Sequence, residues 1–133
     1  MMGRAIAFDL LKNSPETQIQ LADTNKQTLQ SAQQFLNNTA LQTIPLDINS
    51  TQQVKKQFIT SDIVISAVPY HYNYTLTQLA IQTHTHFLDL GGNNDIVFKQ
   101  RSLCNQAKKK QSHHSTRLRI STRDDIYYNP RYR

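Results

Sequence analysis

The sequence has little cysteine and glycine and no long hydrophobic run. Its 133 residues include one cysteine, Cys104, and three glycines. A single cysteine cannot form an internal disulfide, which is typical of a cytosolic protein. No apolar stretch approaches the ~20 residues of a membrane span, and no signal-peptide pattern is visible. These absences argue against a secreted disulfide-rich domain and a membrane protein, so we expect a cytoplasmic location and no membrane partner.

Metal ligands and nucleophiles do not group in the sequence. His84 and His86 have the i, i+2 spacing that can chelate a metal on a strand. The other histidines and Cys104 are scattered, so no ligand framework emerges and we predict no metal site. No Ser-His-Asp or Cys-His arrangement is visible either, and the catalytic residues stay unassigned.

The positive charge is unevenly distributed. The formal net charge is +6, and residues 111–133, with five arginines and two aspartates, carry half of it. Lys108, Lys109 and Lys110 stand just before this segment. A basic chain attracts nucleic acid, but a surplus that is concentrated in the tail argues against a nucleic-acid-binding domain.

Strand-like and helix-like patterns alternate along residues 1–110. The patterns predict strands at 17–22, 41–46, 63–68 and 86–90, and helices at 3–12, 24–37, 73–83 and 95–110. A further helix should follow the capping box that begins at Ser50, with Val54, Phe58 and Ile59 facing inward.

This alternation predicts an α/β fold, a Rossmann-like parallel sheet of about four strands with helices on both faces. The first helix, at 3–12, has no strand before it, although an α/β domain should have one. That strand normally lies at the sheet centre, so its absence would expose apolar surface and unpaired backbone. We therefore expect a Rossmann-like domain whose first strand is missing and whose stability is marginal.

Two residues point to a dinucleotide site. Gly3 has the position of the third glycine of a pyrophosphate-binding turn, where it lets the helix pack on the sheet; the alternative is an ordinary glycine at a helix start. Asp23 follows 20 residues later, at the end of the next strand. There a carboxylate can bind both adenosine ribose hydroxyls and repel the 2′-phosphate of NADP. The alternative for Asp23 is a helix N-cap.

The most informative stretch is 62–70, where a β-branched run ends in small residues and Pro69. It predicts a buried parallel strand that opens onto a ligand at its carboxyl end. Ala67 and Val68 would lie beside the nicotinamide half of a cofactor, or simply form a turn. The polar and aromatic residues 70–74 follow on the ligand side of the sheet.

Four stretches carry a family resemblance: Met-Met-Gly-Arg-Ala-Ile-Ala at 1–7, Asp-Ile-Val-Ile-Ser-Ala-Val-Pro-Tyr at 62–70, His-Phe-Leu-Asp-Leu-Gly-Gly-Asn at 86–93, and the predicted helix that ends with Ala107 and Lys108. Through them the sequence resembles the saccharopine dehydrogenase family, especially its bacterial lysine dehydrogenase-like branch. The resemblance implies cofactor contacts at Gly3, Asp23, Ala67, Val68 and Pro69, and a substrate cleft bordered by Tyr70, Asn73, Gly91, Gly92 and Asn93.

The resemblance also implies an activity. The family contains NAD(P)-dependent oxidoreductases of amino-acid metabolism that act on CH–NH donors such as lysine or a saccharopine-like conjugate, and the parent enzyme would be a homo-oligomer. Asp23 favours NAD over NADP. The chain resembles a fragment, with a truncated NAD(P)-binding domain at 1–110 and no second, substrate-binding domain, so we expect it to be inactive alone.

The segment 111–133 departs from the family, which continues with a strand and an Asp-Cys-Gly-Leu-Ala-Pro-Gly motif. We expect an irregular, poorly ordered basic tail in which only Leu118 and Ile120 favour a strand. One hypothesis is that the tail is translated out of frame, since codons for 111–126 can be chosen so that the shifted frame reads through that motif. The alternative function is a non-enzymatic basic module that binds nucleic acid or an acidic partner through interleaved arginines and tyrosines.

Overall fold

The strands in the described part of this protein all pair in parallel. The computed structural model describes residues 2–111 and 120–121. In chain order the elements are α1 (Met2–Asn13), β1 (Ile19–Asp23), α2 (Lys26–Leu36), β2 (Leu41–Pro45), α3 (Thr51–Ile59), β3 (Ile63–Ser66), a 3-10 helix (Tyr70–Tyr72), α4 (Asn73–Thr83), β4 (His86–Asp89), α5 (Asn94–Gln111) and β5 (Ile120–Ser121). The chain divides into two units, Met1–Val54 and Lys55–Arg133.

The first unit is a β1–α2–β2 crossover preceded by α1. Strands β1 and β2 run in register from Ile19 opposite Leu41 to Asp23 opposite Pro45. Helix α2 packs on both strands, and α1 packs on β1. The buried apolar side chains of this unit are Ala7, Leu29, Ala32, Leu41 and Val54.

Helix α2 has polar caps at both ends. The Asn25 side chain accepts hydrogen bonds from the backbone N–H groups of Gln27 and Thr28, at 2.9 and 3.2 Å. Asn37 ends the helix in the left-handed conformation, with φ 37°, and its N–H bonds to the Gln33 carbonyl. Asparagine suits both positions because its short polar side chain caps the orphan N–H groups and tolerates positive φ.

We expect the Asn25→Ala substitution to destabilise the first unit by about 1 kcal/mol, because two backbone donors lose their acceptor. Urea unfolding followed by circular dichroism measures the change. The neighbouring Thr24→Ala substitution is the control, since no cap hydrogen bond involves its side chain. Equal losses for the two variants would show that the Asn25 cap contributes nothing to stability.

The second unit is built around β4, which pairs with β3 on one side and with β5 on the other. Helices α4 and α5 pack against each other, and α4 also packs on β4. The Thr85 hydroxyl donates to the Phe58 carbonyl at 2.8 Å, which ties the end of α3 to the start of β4. The buried apolar side chains are Phe58, Leu76, Leu79, Ala80, Ile81, Phe87, Val97 and Leu103.

The predicted elements agree with the structure along most of the described chain. The helix predicted at 73–83 is observed with those bounds, and Val54 and Phe58 are buried behind the start of α3 as predicted. Within the tail, Ile120 belongs to β5, which pairs in parallel with Phe87 and Leu88 of β4. The other residues of 112–133 lie outside the described part of the chain, so the expected irregularity of the tail stays a prediction.

Three predictions about burial and strand length are wrong. Ile59 is 63% exposed, and the strand that begins at Ile63 ends at Ser66, two residues before Val68. This strand is not buried, because β3 lies at the edge of its sheet and leaves Ile63 55% exposed and Ile65 38% exposed. Strands β1 and β2 pair within the first unit, and β3, β4 and β5 pair within the second. Periodicity locates strands in a sequence but does not determine which strands pair.

Candidate functional site

The carboxyl ends of β3 and β4 lie side by side in the second unit. The register pairs Ser66 with Asp89, the last residue of each strand. Ala67 to Pro69 follow β3, and Leu90 to Asn93 follow β4. Both segments therefore leave the sheet at its carboxyl edge, where the parallel strands end. In α/β folds this edge is where ligands bind, so the two motifs that carried the sequence resemblance are neighbours in the structure.

The segment after β3 is open to solvent. Ala67, Val68 and Pro69 are all exposed. Pro69 has an extended conformation, with φ −55° and ψ 138°, and its carbonyl accepts from the Tyr72 N–H at 3.1 Å to begin the 3-10 helix. The proline thus redirects the chain from the strand into the helix, and it leaves the two small apolar residues before it available to a ligand.

Tyr70 and Gly92 bring the two strand ends into contact. A Cβ atom added to Gly92 would lie 3.6 Å from Cβ of Tyr70 and 3.8 Å from its Cδ1. Gly92 has φ +119° and Gly91 has φ +67°, so both residues adopt conformations that favour glycine. The glycine pair therefore makes a turn that follows the Tyr70 side chain, with the Tyr70 ring 45% exposed beside it.

We expect Gly92→Ala to destabilise the chain by about 1–3 kcal/mol, the usual cost of a side chain in a sparsely populated backbone region. The conformation is the cause rather than space, because 3.6 Å is an ordinary contact distance. The double variant Tyr70→Ala/Gly92→Ala should therefore lose as much as the two single variants together. Urea unfolding of the four proteins measures this, and recovery of stability in the double variant would show that crowding was the cause.

Asp89 holds the start of the same turn. Its Oδ1 accepts a hydrogen bond from the Gly91 N–H at 2.7 Å. Its other oxygen, Oδ2, accepts from Nε2 of Gln100 on α5 at 2.7 Å. Asp89 is 6% exposed, so this buried carboxylate fixes the backbone of the turn from beneath.

The two asparagines predicted at the substrate cleft are engaged in structural hydrogen bonds. Asn73 is 2% exposed, and its Oδ1 accepts from the Ser66 hydroxyl at 2.7 Å. Asn93 accepts from the Ile96 N–H at 3.2 Å, and so caps the N-terminus of α5. Through these bonds Asn73 anchors the end of β3, and Asn93 anchors the exit of the Gly91–Gly92 turn.

Asp23 ends β1 in the first unit and forms a tight local turn. Its Oδ1 accepts from the Asn25 N–H at 2.9 Å, and its backbone carbonyl accepts from the Leu46 N–H at 3.0 Å. The alternative that Asp23 caps α2 is wrong, because Asn25 is the cap. Within the described residues nothing donates to Oδ2 of Asp23, so one carboxylate oxygen is available to a ligand.

Gly3 also lies in the first unit, in the first turn of α1, which is the place predicted for the last glycine of a pyrophosphate-binding turn. The predicted cofactor residues are therefore divided between the units, with Gly3 and Asp23 in one and Ala67 to Pro69 in the other. The five predicted substrate residues all belong to the second unit.

Other kinds of site find no support in the part of the chain that the structure describes. Within residues 2–111 and 120–121, no group of three His, Cys, Asp or Glu side chains is placed to hold a metal ion. No helix in these ranges is long and apolar enough to cross a bilayer. The basic segment of the alternative function lies almost wholly outside the described residues, so that alternative stays a prediction.

Sequence reasoning missed four polar residues that support the strand ends. Ser66, Thr77, Asp89 and Gln100 are each buried, with exposures from 0 to 6%. Gln100 carried a usable signal, because it stands three residues after Val97 and three before Leu103 on the buried face of α5. A polar side chain at such a position needs hydrogen-bond partners inside the protein.

The parallel strands, the connecting helices and the turns at the strand ends define a Rossmann-like nucleotide-binding domain, as predicted. The chain belongs to the saccharopine dehydrogenase family: the family model described as "Saccharopine dehydrogenase NADP binding domain" matches residues 1–122. This match confirms that the chain resembles the NAD(P)-binding part of that family, and it supports a nicotinamide cofactor. The family description names NADP and does not settle the choice between NAD and NADP.

A solved structure shows the same fold. The apo, histidine-tagged saccharopine dehydrogenase (L-Glu forming) from Saccharomyces cerevisiae is similar with a TM-score of 0.63 and 19% sequence identity. The similar region covers 77% of this chain but 22% of the yeast protein. At this identity the likeness establishes the Rossmann-like fold alone.

Proposed function

We propose that this chain is the nicotinamide-dinucleotide-binding part of an oxidoreductase that acts on an amino acid. The observation that carries the proposal is the register of Ser66 with Asp89, which brings the exposed segment 67–69 beside the Gly91–Gly92 turn. In α/β domains a ligand at the carboxyl edge of the sheet contacts the backbone of such turns. Family membership makes a nicotinamide dinucleotide the ligand that fits this edge.

The described residues suit such a cofactor in two places. Asp23 offers one carboxylate oxygen beyond its own turn, and a ribose hydroxyl is the donor that such an oxygen accepts in this class of domain. At the other place, Ala67 and Val68 present small exposed side chains, and Gly92 leaves room beside Tyr70. There the backbone of the chain can approach a flat ring closely.

The oxidised cofactor, when bound, would accept a hydride from the amine-bearing carbon of a lysine-like substrate, and the nitrogen would release a proton as the amine becomes an imine. The chain's own residues bind and orient. Pro69 and the 3-10 helix fix the path beside the ring, and the Gly91–Gly92 turn borders the substrate side. No described residue is assigned as the general acid or base, so the proton that leaves the amine has no assigned acceptor within this chain.

Titration of the purified 133-residue chain with NADH and NADPH, followed by the fluorescence of the reduced nicotinamide, tests the binding function. We expect saturable binding of at least one of the two cofactors, with millimolar or tighter affinity. Gly92→Val is the variant that should weaken binding, because a branched side chain would fill the space beside Tyr70. The absence of binding by a folded native chain would refute the proposed function.

We further propose that the chain alone does not oxidise lysine. The region of similarity covers 22% of the yeast enzyme, and no described residue of this chain is assigned as the general acid or base. Incubation of the chain with lysine and NAD should give no increase in absorbance of NADH above a blank without protein. NADH production that scales with protein concentration would contradict this expectation.

A further inference from the structure

A chain of buried hydrogen bonds connects the ends of β3 and β4 through two helices. Nε2 of Gln100 donates to Oγ1 of Thr77 at 2.8 Å and to Oδ2 of Asp89 at 2.7 Å. The Thr77 hydroxyl donates to the Asn73 carbonyl at 2.8 Å, and Asn73 accepts from Ser66. Every side chain in this network is at most 6% exposed.

The direction of each bond is fixed by its neighbours. An ionised Asp89 can only accept, and both of its oxygens do so, one from Gly91 and one from Gln100. The Thr77 hydroxyl has one hydrogen, which it gives to the Asn73 carbonyl, so it can only accept from Gln100. Gln100 must therefore provide two N–H donors at once, which a glutamine can do and a glutamate cannot.

This network is not needed to fill the core. Well-packed apolar side chains of similar volume stabilise a protein interior about as well as buried polar groups do, and polar groups that lose one partner are destabilising. The hydrogen bonds of the network instead constrain one particular backbone segment. Its outer end is the Gly91 N–H, in a turn of two glycines that has more conformational freedom than any other pair of residues would have.

We propose that Gln100 is a positioning residue, which holds the Asp89 carboxylate so that it fixes the Gly91–Gly92 turn at the substrate side of the cofactor. The inference rests on the proposed function for what the turn faces. Gln100 touches neither cofactor nor substrate in this scheme, since it acts through Asp89 from the opposite side. Thr77 holds the other amide hydrogen of Gln100 and so sets the rotation of its amide group.

An exchange of the two side chains tests the coupling. Gln100→Glu places two carboxylates opposite each other. Asp89→Asn either places two amide donors opposite each other or rotates one amide group away from the contact. The double variant Asp89→Asn/Gln100→Glu restores one donor and one acceptor, because the introduced asparagine can accept from Gly91 while its amide donates to the introduced glutamate. Gln100→Met removes both donors without adding charge, and it serves if Gln100→Glu does not fold.

Amide hydrogen exchange at Gly91, followed by nuclear magnetic resonance, is the readout. We expect exchange to accelerate about tenfold or more in Gln100→Glu and Gln100→Met. In the double variant it should return part of the way toward the native rate, because the glutamate restores the contact with position 89 but cannot donate to Thr77. Exchange at Leu88, inside β4, should change much less. Gln82→Met, at an exposed position of α4, is the matched control and should leave Gly91 unchanged.

Two results would overturn the proposal: an unchanged Gly91 rate in the single variants, or acceleration at Leu88 equal to that at Gly91, which would make Gln100 an ordinary packing residue. Titration of the same proteins with NADH separates this proposal from the proposed function. If the native chain binds no NADH but amide exchange at Gly91 still accelerates in Gln100→Met, the cofactor function is refuted and the positioning by Gln100 is supported.

Discussion

The Asp23→Asn variant should lose much of the preference for NADH over NADPH. We expect the ratio of the NADPH dissociation constant to the NADH dissociation constant to fall by roughly ten- to hundredfold relative to the native chain. In the proposed site, the native carboxylate would accept from the ribose hydroxyls of NADH but would meet the 2′-phosphate of NADPH with like-charge repulsion. Asparagine removes the charge and keeps an oxygen for the Asn25 N–H, so the turn itself is retained. Fluorescence titration of both proteins with both cofactors measures the ratio.

The chain contains a matched control for this experiment. Asp47 forms the same turn after β2, with its Oδ1 accepting from the Asn49 N–H at 2.9 Å. Asp47→Asn therefore makes the same chemical change in an equivalent turn, and we expect it to leave the cofactor preference unchanged. Lys26, the first residue of α2, lies close in sequence to Asp23 and would soften the repulsion in the native chain.

Two outcomes would contradict the NAD preference. Tighter binding of NADPH by the native chain would agree with the family description and would show that the Asp23 charge does not exclude a 2′-phosphate. An unchanged preference in Asp23→Asn would show that Asp23 serves its local turn alone. Either result would leave the Rossmann-like fold and the strand-end geometry as they stand.

Much of the fold could be predicted because it depends on local sequence. The bounds of α4 follow from an apolar face at helical spacing and from His84, which ends the helix in the left-handed conformation. The glycine pair at 91 and 92 follows a predicted strand, and the structure gives both residues positive φ. The parallel arrangement followed from the alternation of strands and helices.

The rest depended on contacts between residues distant in sequence. The sequence predicts strands at both 63–68 and 86–90, but within their sheet β4 is flanked on both sides and β3 on one. Whether Asp23 or Asn25 caps α2 depends on the residue at which the helix begins. The role of Gln100 required knowledge that α4, α5 and the end of β4 meet, which no local pattern contains.

Phe87→Ala should have the largest effect on stability of any substitution considered, a loss of about 3–5 kcal/mol. Phe87 is fully buried in the central strand of the second unit, between Val64 of β3 and Ile120 of β5. Its ring centre lies 6.3 Å from that of Phe58. Because small domains have a total stability of about 5–15 kcal/mol, this loss removes a large share of it, and a chain at the low end of that range would be about half unfolded at room temperature.

Phe98→Ala is the matched control, since Phe98 lies in α5 of the same unit and is 63% exposed. Its removal should change stability by no more than about 0.5 kcal/mol. If Phe87→Ala does not fold, Phe87→Leu should still unfold at a lower urea concentration than the native chain, by an amount smaller than an alanine would cause. Urea unfolding monitored by circular dichroism gives all three values. Equal losses at positions 87 and 98 would mean that β4 is not the centre of the second unit's core.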